Sequence, residues 1–305
     1  TIDSNGLTMV TFVATPNRAY DSYKIESIYY ERNGQEIEKE ITTKIKVELY
    51  KGISNAQEWN EFFAGDGRKY EGQNVKITGN VDFSMVNTIE KNVVIGKLEA
   101  DSIKNISNIN ISNLASNSGF IKEIKTKIKN INFVDSNIQG NGNYIGIIGI
   151  LRGEMDTCNF KSCEVNCTGS YIGMISRTIA GSLKNISLTN IKINGSSYVG
   201  GLCGQATSLG QSANIEGTYV CVTGKGDMVG GVFGYTDGAI NNISAYQYSK
   251  NGKQSSDKST EYLVKGNSQV GGSIGRYSGG GSTVSTINNT NSTITGNNYI
   301  GGNVG

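Results

Sequence analysis

Histidine is absent from this 305-residue chain. That removes Ser-His-Asp and Cys-His catalysis, His-Glu-x-x-His zinc sites and imidazole acid–base chemistry. Proline occurs once, at Pro16, so long stretches can pair as strands without losing an amide donor. No apolar run is long enough to span a membrane, which argues against membrane insertion. The net charge is only +2, so nothing steers the chain toward nucleic acid or an anionic membrane surface. No glycine-rich phosphate loop leads into a helix, and no cofactor is implied. The five cysteines are odd in number and form no Cys-x-x-Cys pair, so neither a zinc site nor a disulfide framework follows from them.

Glycine is abundant, with 41 residues, and much of it is periodic. The stretch Tyr198-Val-Gly-Gly-Leu-Cys-Gly204 recurs along the chain. Copies begin at Asn143, Ser170, Asp227, Ser268 and Asn298, and weaker ones lie at Ile95-Gly96 and Asn117–Ile121. The marker glycines are Gly96, Gly119, Gly146, Gly173, Gly200, Gly230, Gly271 and Gly301, spaced by 23, 27, 27, 27, 30, 41 and 30 residues. A period of this size announces stacked repeats.

Within each unit the Asn/Ile-rich half alternates polar and apolar residues, as in Ile128–Phe133, Leu183–Leu188 and Ile240–Ser244. That is a strand period. One unit is too short for a propeller blade and long enough for a coil of three short strands. Two positions after each marker glycine trade volume: Ile147/Gly149, Met174/Ser176, Gly201/Cys203, Gly231/Phe233, Gly272/Ile274 and Gly302/Val304. Residues two apart on a strand share a face, so each pair is expected to point into one packed interior. Ser273 and Asn303, between the pair members, are expected to face out. Aligned repeats place Cys158 opposite Ile131 and Ile186, and Cys163 opposite Ile191. With Cys203 these read as small core residues, whereas Cys167 falls at a corner and Cys221 on an outward slot. Asn105, Asn130, Asn185 and Asn242 each precede a core residue. They suit either an amide ladder between coils or left-handed corners.

The Val-Gly-Gly-Leu-x-Gly core resembles the GLUG motif of large bacterial surface proteins, found also in non-catalytic regions of IgA-protease-type zinc metallopeptidases. The upstream stretches Ile53–Phe63, Lys69–Thr78 and Asn80–Ser84 resemble the entry segment that precedes such repeats in surface proteins of Firmicutes and Bacteroidetes. The resemblance covers roughly residues 53–305. It implies a right-handed parallel β-helix with a structural or adhesive role at the cell surface or in a secreted protein. No catalytic residue is carried over, and the chain is not expected to be an enzyme.

The expected organisation is all-β, with a small antiparallel β-sandwich-like module at 1–50, a capping helix and entry segment at 51–69, and a β-helix of roughly eight coils at 70–305. The chain starts without Met and stops in mid-repeat, as though cut from something longer. In the first module Leu7–Val13, Tyr23–Tyr30 and Thr43–Tyr50 alternate as strands, and Asn33-Gly34 marks a hairpin. Ala14-Thr-Pro-Asn-Arg-Ala-Tyr20 resembles the Ala-Thr-Pro-x-x-Gly-Tyr turn of small extracellular β-sandwich repeats, with Ala19 in the glycine position. Ser54 can cap a helix whose Trp59, Phe62 and Phe63 form an apolar stripe, and Gly65 ends it. That stripe suits a lid on the open end of the solenoid.

The coil between Gly230 and Gly271 carries extra residues, 246–266, expected to protrude as a loop. Tyr246, Tyr248 and Tyr262, with Lys253 and Lys258, are the candidate ligand-binding residues of this insertion. The first expectation is a rigid spacer that presents binding regions of a longer surface protein. A second is direct adhesion to a glycan or a host protein through the insertion. A third is a glycan-cleaving β-helix enzyme, with Asp135, Asp156 and Glu164 brought together on a flank. Self-assembly through the open C-terminal coil is a further possibility of the same architecture.

Overall fold

The computed structural model describes residues 27–32, 35–40, 50–64, 72–86, 90–210, 212–246, 262–279, 284–290 and 292–305. Two compact units divide the chain after Lys51. In the first, β1 (Ser27–Arg32) and β2 (Gln35–Glu40) form an antiparallel pair with Arg32 opposite Gln35. Two residues, Asn33 and Gly34, therefore join them, the connection length that this dipeptide favours. The strands expected at 7–13 and 43–49 lie outside the described residues.

The second unit is a parallel β-solenoid of about seven turns. It opens at Gly52, within β3 (Lys51–Ile53), and continues with α1 (Ala56–Phe63), β4 (Gln73–Ile77) and β5 (Val81–Asp82). Successive coils then use β6 (Val93–Ser107) and β7 (Asn110–Leu114), β8 (Ser118–Val134) and β9 (Asn137–Gly140), and β10 (Ile145–Leu151), β11 (Glu154–Lys161) and β12 (Glu164–Cys167). Next come β13 (Ile175–Ile179) and β14 (Ser182–Gly195), then β15 (Val199–Gly200), β16 (Cys203–Thr207) and β17 (Ser212–Gly224). The last coils hold β18 (Val229–Gly230), β19 (Phe233–Thr236), β20 (Ile240–Tyr246), β21 (Tyr262–Lys265), β22 (Ser268–Gly271), β23 (Ile274–Tyr277), β24 (Val284–Thr290), β25 (Ser292–Thr295) and β26 (Asn298–Gly301). At about 4.8 Å per strand spacing, seven turns rise about 34 Å.

Register explains the apolar pattern. Ile111, Ile138, Val165, Ile193, Val222, Val264 and Ile294 stand over one another in seven consecutive coils. A second column runs Ile121, Ile148, Ile175, Cys203, Phe233, Ile274, and all six are fully buried. Each buried aliphatic of this size contributes about 1.5–3 kcal/mol of transfer free energy. Phe133 and Phe160 stack at 5.3 Å within the same interior.

The second column corrects the paired-volume reading. Cys203 lies over Ile175, not over Ser176, because the tandem Gly200-Gly201 adds one residue before the strand. The apparent exchange of large for small is a one-residue shift between two coil types. Both candidate faces are buried: Ile147, Met174, Leu202, Val232 and Ser273 are fully enclosed, so Ser273 does not face out. Asn303, in the last coil, is exposed. Gly96 also leaves its expected column, since its neighbours Ile95 and Lys97 pair with Ile124 and Lys127 rather than with residues beside Gly119. Counting from it added one coil.

The remaining marker glycines do form a column. Gly119 pairs with Gly146, Gly200 with Gly230, Gly230 with Gly271 and Gly271 with Gly301. A Cβ on Gly146 would sit 2.7 Å from the Gly173 carbonyl oxygen, and one on Gly173 would sit 2.8 Å from that of Gly200. The glycines recur because the next coil's backbone occupies that space.

Helix α1 covers the N-terminal end. Its cap is Asn55, one residue later than expected: Oδ1 accepts the Glu58 amide at 2.9 Å, and Glu58 reaches back to the Ser54 amide at 2.7 Å. Ser54 thus shares the reciprocal cap that hydrogen-bonds the helix start. The helix ends at Ala64 in extended conformation, and Gly65 lies outside the described residues. Trp59 is fully buried, stacked on Phe120 at 4.7 Å and edge-on to Phe83 at 6.4 Å.

Candidate functional site

The corners of the coils hold the polar organisation. Asn117, Tyr144, Tyr171, Tyr198, Met228, Gln269 and Tyr299 each stand two residues before a marker glycine, all with φ between 50° and 64°. Left-handed backbone costs a bulky residue about 1–2 kcal/mol. Stacking offsets it here: Tyr144 and Tyr171 lie 4.3 Å apart at 8°, and Tyr171 and Tyr198 lie 4.4 Å apart at 20°. Tyr235 continues the row at 6.2 Å, and the Arg177 guanidinium sits 5.2 Å from the Tyr144 ring centre. Burial, then the neighbouring Tyr144 and Tyr198 hydroxyls, push the Tyr171 phenol up to about 12. Both faces of Tyr171 are spent on other tyrosines, so this row straps the corner and offers only ring edges and hydroxyls to solvent.

Beside these corner residues runs a ladder of side-chain hydrogen bonds, one residue earlier in the first five coils and two residues earlier in the last two. Ser116 Oγ accepts the Asn143 amide at 3.0 Å, Asn143 Oδ1 the Ser170 amide at 2.7 Å, Ser170 Oγ the Ser197 amide at 3.3 Å and Ser197 Oγ the Asp227 amide at 3.1 Å. Asn267 Nδ2 donates to Asp227 Oδ1 at 3.2 Å, and Asn297 Nδ2 to Asn267 Oδ1 at 2.7 Å. The ladder joins seven coils.

The asparagines singled out in the sequence divide between both roles. Asn130 and Asn185 are left-handed corners, with φ of 57° and 53°. Asn185 is also a rung, donating to Asp156 Oδ1 at 2.9 Å while accepting from Asn214 at 3.0 Å. Asn105 belongs to a different ladder, accepting from Asn132 at 3.2 Å, which in turn accepts from Asn159 at 2.8 Å.

The carboxylates expected on a flank are not assembled. Asp135 is a left-handed corner residue, with Lys161 opposite it in the next coil accepting its amide proton. Asp156 pairs with Lys129 and Lys184 along a different strand column. Burial raises its pKa, but hydrogen bonds from Asn185 and Thr157, with Lys129 and Lys127 nearby, carry it below the ordinary carboxylate value. Glu164 is held by Lys192 at 3.0 Å. Among the described residues no three His, Cys, Asp or Glu side chains form a metal-binding group.

Cys158, Cys163 and Cys203 are buried as expected, and Cys167 is buried too, although its position suggested a corner. Burial pushes the Cys158 and Cys167 thiols up to about 12 and those of Cys163 and Cys203 up to about 11.

Of the insertion, Tyr248, Lys253 and Lys258 lie outside the described residues, as do the side chains of Tyr246 and Tyr262. Its anchor points are clear. Thr218 pairs with Tyr246 and Cys221 with Leu263, so a corner of three residues' separation becomes one of 17, and fourteen residues are added there. The strands on either side stay in register.

Comparison with protein-family models, curated proteins and solved structures returns no match.

The chain's outward strand positions carry mixed charge. Lys127 lies 3.8 Å from Glu99 and 3.7 Å from Glu154, and Lys184 lies 3.8 Å from Glu154. These partly exposed pairs set surface character more than stability. No described helix is long and apolar enough to cross a membrane.

Proposed function

We propose that this chain is a non-catalytic structural region of a bacterial cell-surface or secreted protein, a stiff spacer that presents binding regions elsewhere in the same protein. The observation that supports it most is the continuity of its columns. One apolar column and one glycine column each pass through six or more coils in register, and one side-chain ladder joins seven coils. In a parallel solenoid each coil is held by its neighbours, so bending requires many ladder bonds to open together. The GLUG-type repeat points the same way. The test is single-molecule pulling along the axis, with the chain tethered at residues 52 and 305. A spacer resists as one body and then yields in steps of about one coil. Gradual extension at low force from the first pull sinks the reading.

A second reading is direct adhesion to a glycan or host protein through the insertion at 246–266. Its support is that the insertion leaves the ladder at one corner while the strands on both sides keep register. Deleting 247–260, which restores the three-residue separation of the preceding coil's corner, should then abolish binding to cells or to a glycan array without changing the melting temperature. Unchanged binding removes this reading and leaves the spacer.

A further inference from the structure

We propose that Asn141-Gly142 is a site of spontaneous covalent modification, an intramolecular deamidation that the Thr168 hydroxyl assists. The chain has five Asn-Gly dipeptides. Those at Asn5, Asn33 and Asn251 lie outside the described residues, which leaves Asn141 and Asn194. The fold holds these two in opposite ways. Asn194 and Gly195 both lie inside β14, Asn194 between Asn166 and Thr223 and Gly195 in register with Gly224. The Gly195 carbonyl accepts the Lys225 amide at 3.2 Å, so the ladder to the next coil fixes this backbone. Asn141 is exposed and lies past the end of β9, at the corner that leads into β10. Among the described residues neither its side chain nor the Gly142 amide has a hydrogen-bond partner.

The corner requires glycine but not asparagine. A Cβ on Gly142 would meet the Ser116 amide nitrogen and lie 2.7 Å from the Ala115 carbonyl carbon. Thr168 and Lys225 hold the place of Asn141 in later coils. Each of the three donates its amide to a carbonyl of the coil before, Asn141 to Leu114, Thr168 to Gly140 and Lys225 to Gly195, and each precedes glycine. Of the three, only Asn141 carries a carboxamide. Thr168 also reaches back to this corner, where its Oγ1 donates to the Asn141 carbonyl at 3.3 Å. That carbonyl belongs to the same peptide group as the Gly142 N–H. A hydrogen bond on its oxygen stabilises the anion formed when the N–H loses its proton, as donors aimed at a developing oxyanion do.

Beyond these residues the reaction needs only water. The deprotonated Gly142 nitrogen attacks Asn141 Cγ, a bond forms between them, and the Cγ–Nδ2 bond breaks, releasing ammonia that carries away the lost proton. The product is a five-membered cyclic imide. Water then opens it at Cγ to give aspartate, or at the Asn141 main-chain carbonyl to give isoaspartate, whose chain runs through Cβ and Cγ. Either product places a carboxylate at an exposed corner, and the second adds a methylene to the main chain. Asn143, two residues on, is tied to both neighbouring coils: Ser116 Oγ accepts its amide, and its own Oδ1 accepts the Ser170 amide. The added length therefore falls on that rung.

The test is peptide mapping by mass spectrometry of the folded chain incubated at mildly alkaline pH, with fragmentation that separates isoaspartate from aspartate. Asn141 should convert to a mixture of the two at least about tenfold faster than Asn194, a ratio equal to about 1.4 kcal/mol of local opening at Gly195. Its rate should rise with pH, because the attacking nitrogen must first lose its proton. In denaturant the opening is complete, and the difference between the two sites should largely disappear. Thr168→Val should slow Asn141 about threefold or more in the folded chain and not in denaturant. Thr168→Ser keeps the hydroxyl and should restore the rate. Asn194 in the same digest reports unfolding, since its rate rises if a variant loses the ladder. Asn141→Thr copies the residue of the next coil, so it should melt with the unaltered chain and leave this peptide unmodified. Equal conversion of Asn141 and Asn194 in the folded chain overturns the proposal, as does an Asn141 that stays intact while Asn194 reacts. Equal rates for the Val and Ser variants overturn the part assigned to Thr168.

Discussion

Replacing Gly173 by alanine should destabilise the solenoid out of proportion to one methyl group. The added Cβ would lie 2.8 Å from the carbonyl oxygens of Gly200 and Ile175 and 2.9 Å from the Gly204 amide nitrogen. Carbon–oxygen contacts between neighbouring strands settle at about 3.3–3.6 Å, so the shortfall is about half an ångström on three sides. All three are backbone atoms, two in the next coil and one in Gly173's own, and cannot swing away. Overpacking of this kind costs about 1–3 kcal/mol. Alanine recovers about 0.4–1 kcal/mol by restricting the unfolded chain, which leaves a net loss of about 1–2 kcal/mol. For a unit of this size that corresponds to a fall in melting temperature of about 2–8 °C, read by circular dichroism on heating. Gly302 is the internal control, because a Cβ there meets nothing within 4 Å. Gly302→Ala should change stability by less than about 0.5 kcal/mol. If Gly173→Ala melts with the unaltered chain, or if the two variants lose equally, close coil-to-coil approach is not why glycine recurs.

Three further outcomes follow from the same structure. Trp59→Ala should cost about 3–5 kcal/mol in urea denaturation, because it empties the aromatic cluster against Phe120, Phe63 and Phe83 that seals the solenoid's end; a loss below about 1 kcal/mol would mean the lid is dispensable. Asn185→Gly keeps the left-handed backbone but deletes the amide that donates to Asp156, so the Asp156 pKa should move up toward 3.8 in an NMR titration, with the residue's φ preserved. The buried thiols ionise from 9.0 once unfolded but only at about 12 for Cys158 and about 11 for Cys203 when folded. The unfolded state therefore binds fewer protons above pH 9, and stability measured by denaturation should fall as pH rises from 9 toward 11. A double replacement of Cys158 and Cys203 by alanine should flatten that slope.

The stacking was legible because it obeys two periods at once, the strand alternation of Ile128–Phe133 and the repeat of the marker glycines. The buried column through Cys203, Phe233 and Ile274 follows from them. What misled was a one-residue change within an otherwise constant coil. Gly200-Gly201 lengthens the turn before Cys203, and counting from the glycine then put Ser176 and Cys203 in one slot that they do not share. Sequence spacing reports contour length, whereas register is decided by which hydrogen bonds close. The corner tyrosines were missed for a related reason. Tyr144, Tyr171 and Tyr198 were visible as repeats, but left-handed backbone is not expected of tyrosine, and only the ring stacking between coils makes it tolerable.

The division of labour among positions bears on the choice between spacer and adhesin. Structural demand is concentrated in the glycine column, the inward apolar columns and the corner ladder, where each residue is constrained by the coils above and below. Outward strand positions escape it: one such column reads Glu123, Ile150, Arg177, Gln205, Tyr235, Arg276, with no common chemistry. A ligand gripped by the solenoid wall would need neighbouring outward residues to agree in charge or shape from coil to coil, and this column does not. Repeated recognition along this column is thus disfavoured, and the proposed adhesive role would reside where the repeat is broken. One such place is the corner between Thr218-type and Cys221-type positions, where fourteen residues are added. The strands on both sides of it keep register, so the insertion can be removed without disturbing them. Binding assays on a variant lacking 247–260 should therefore show a loss if the insertion recognises a ligand, and no effect if the chain acts only as a stiff rod.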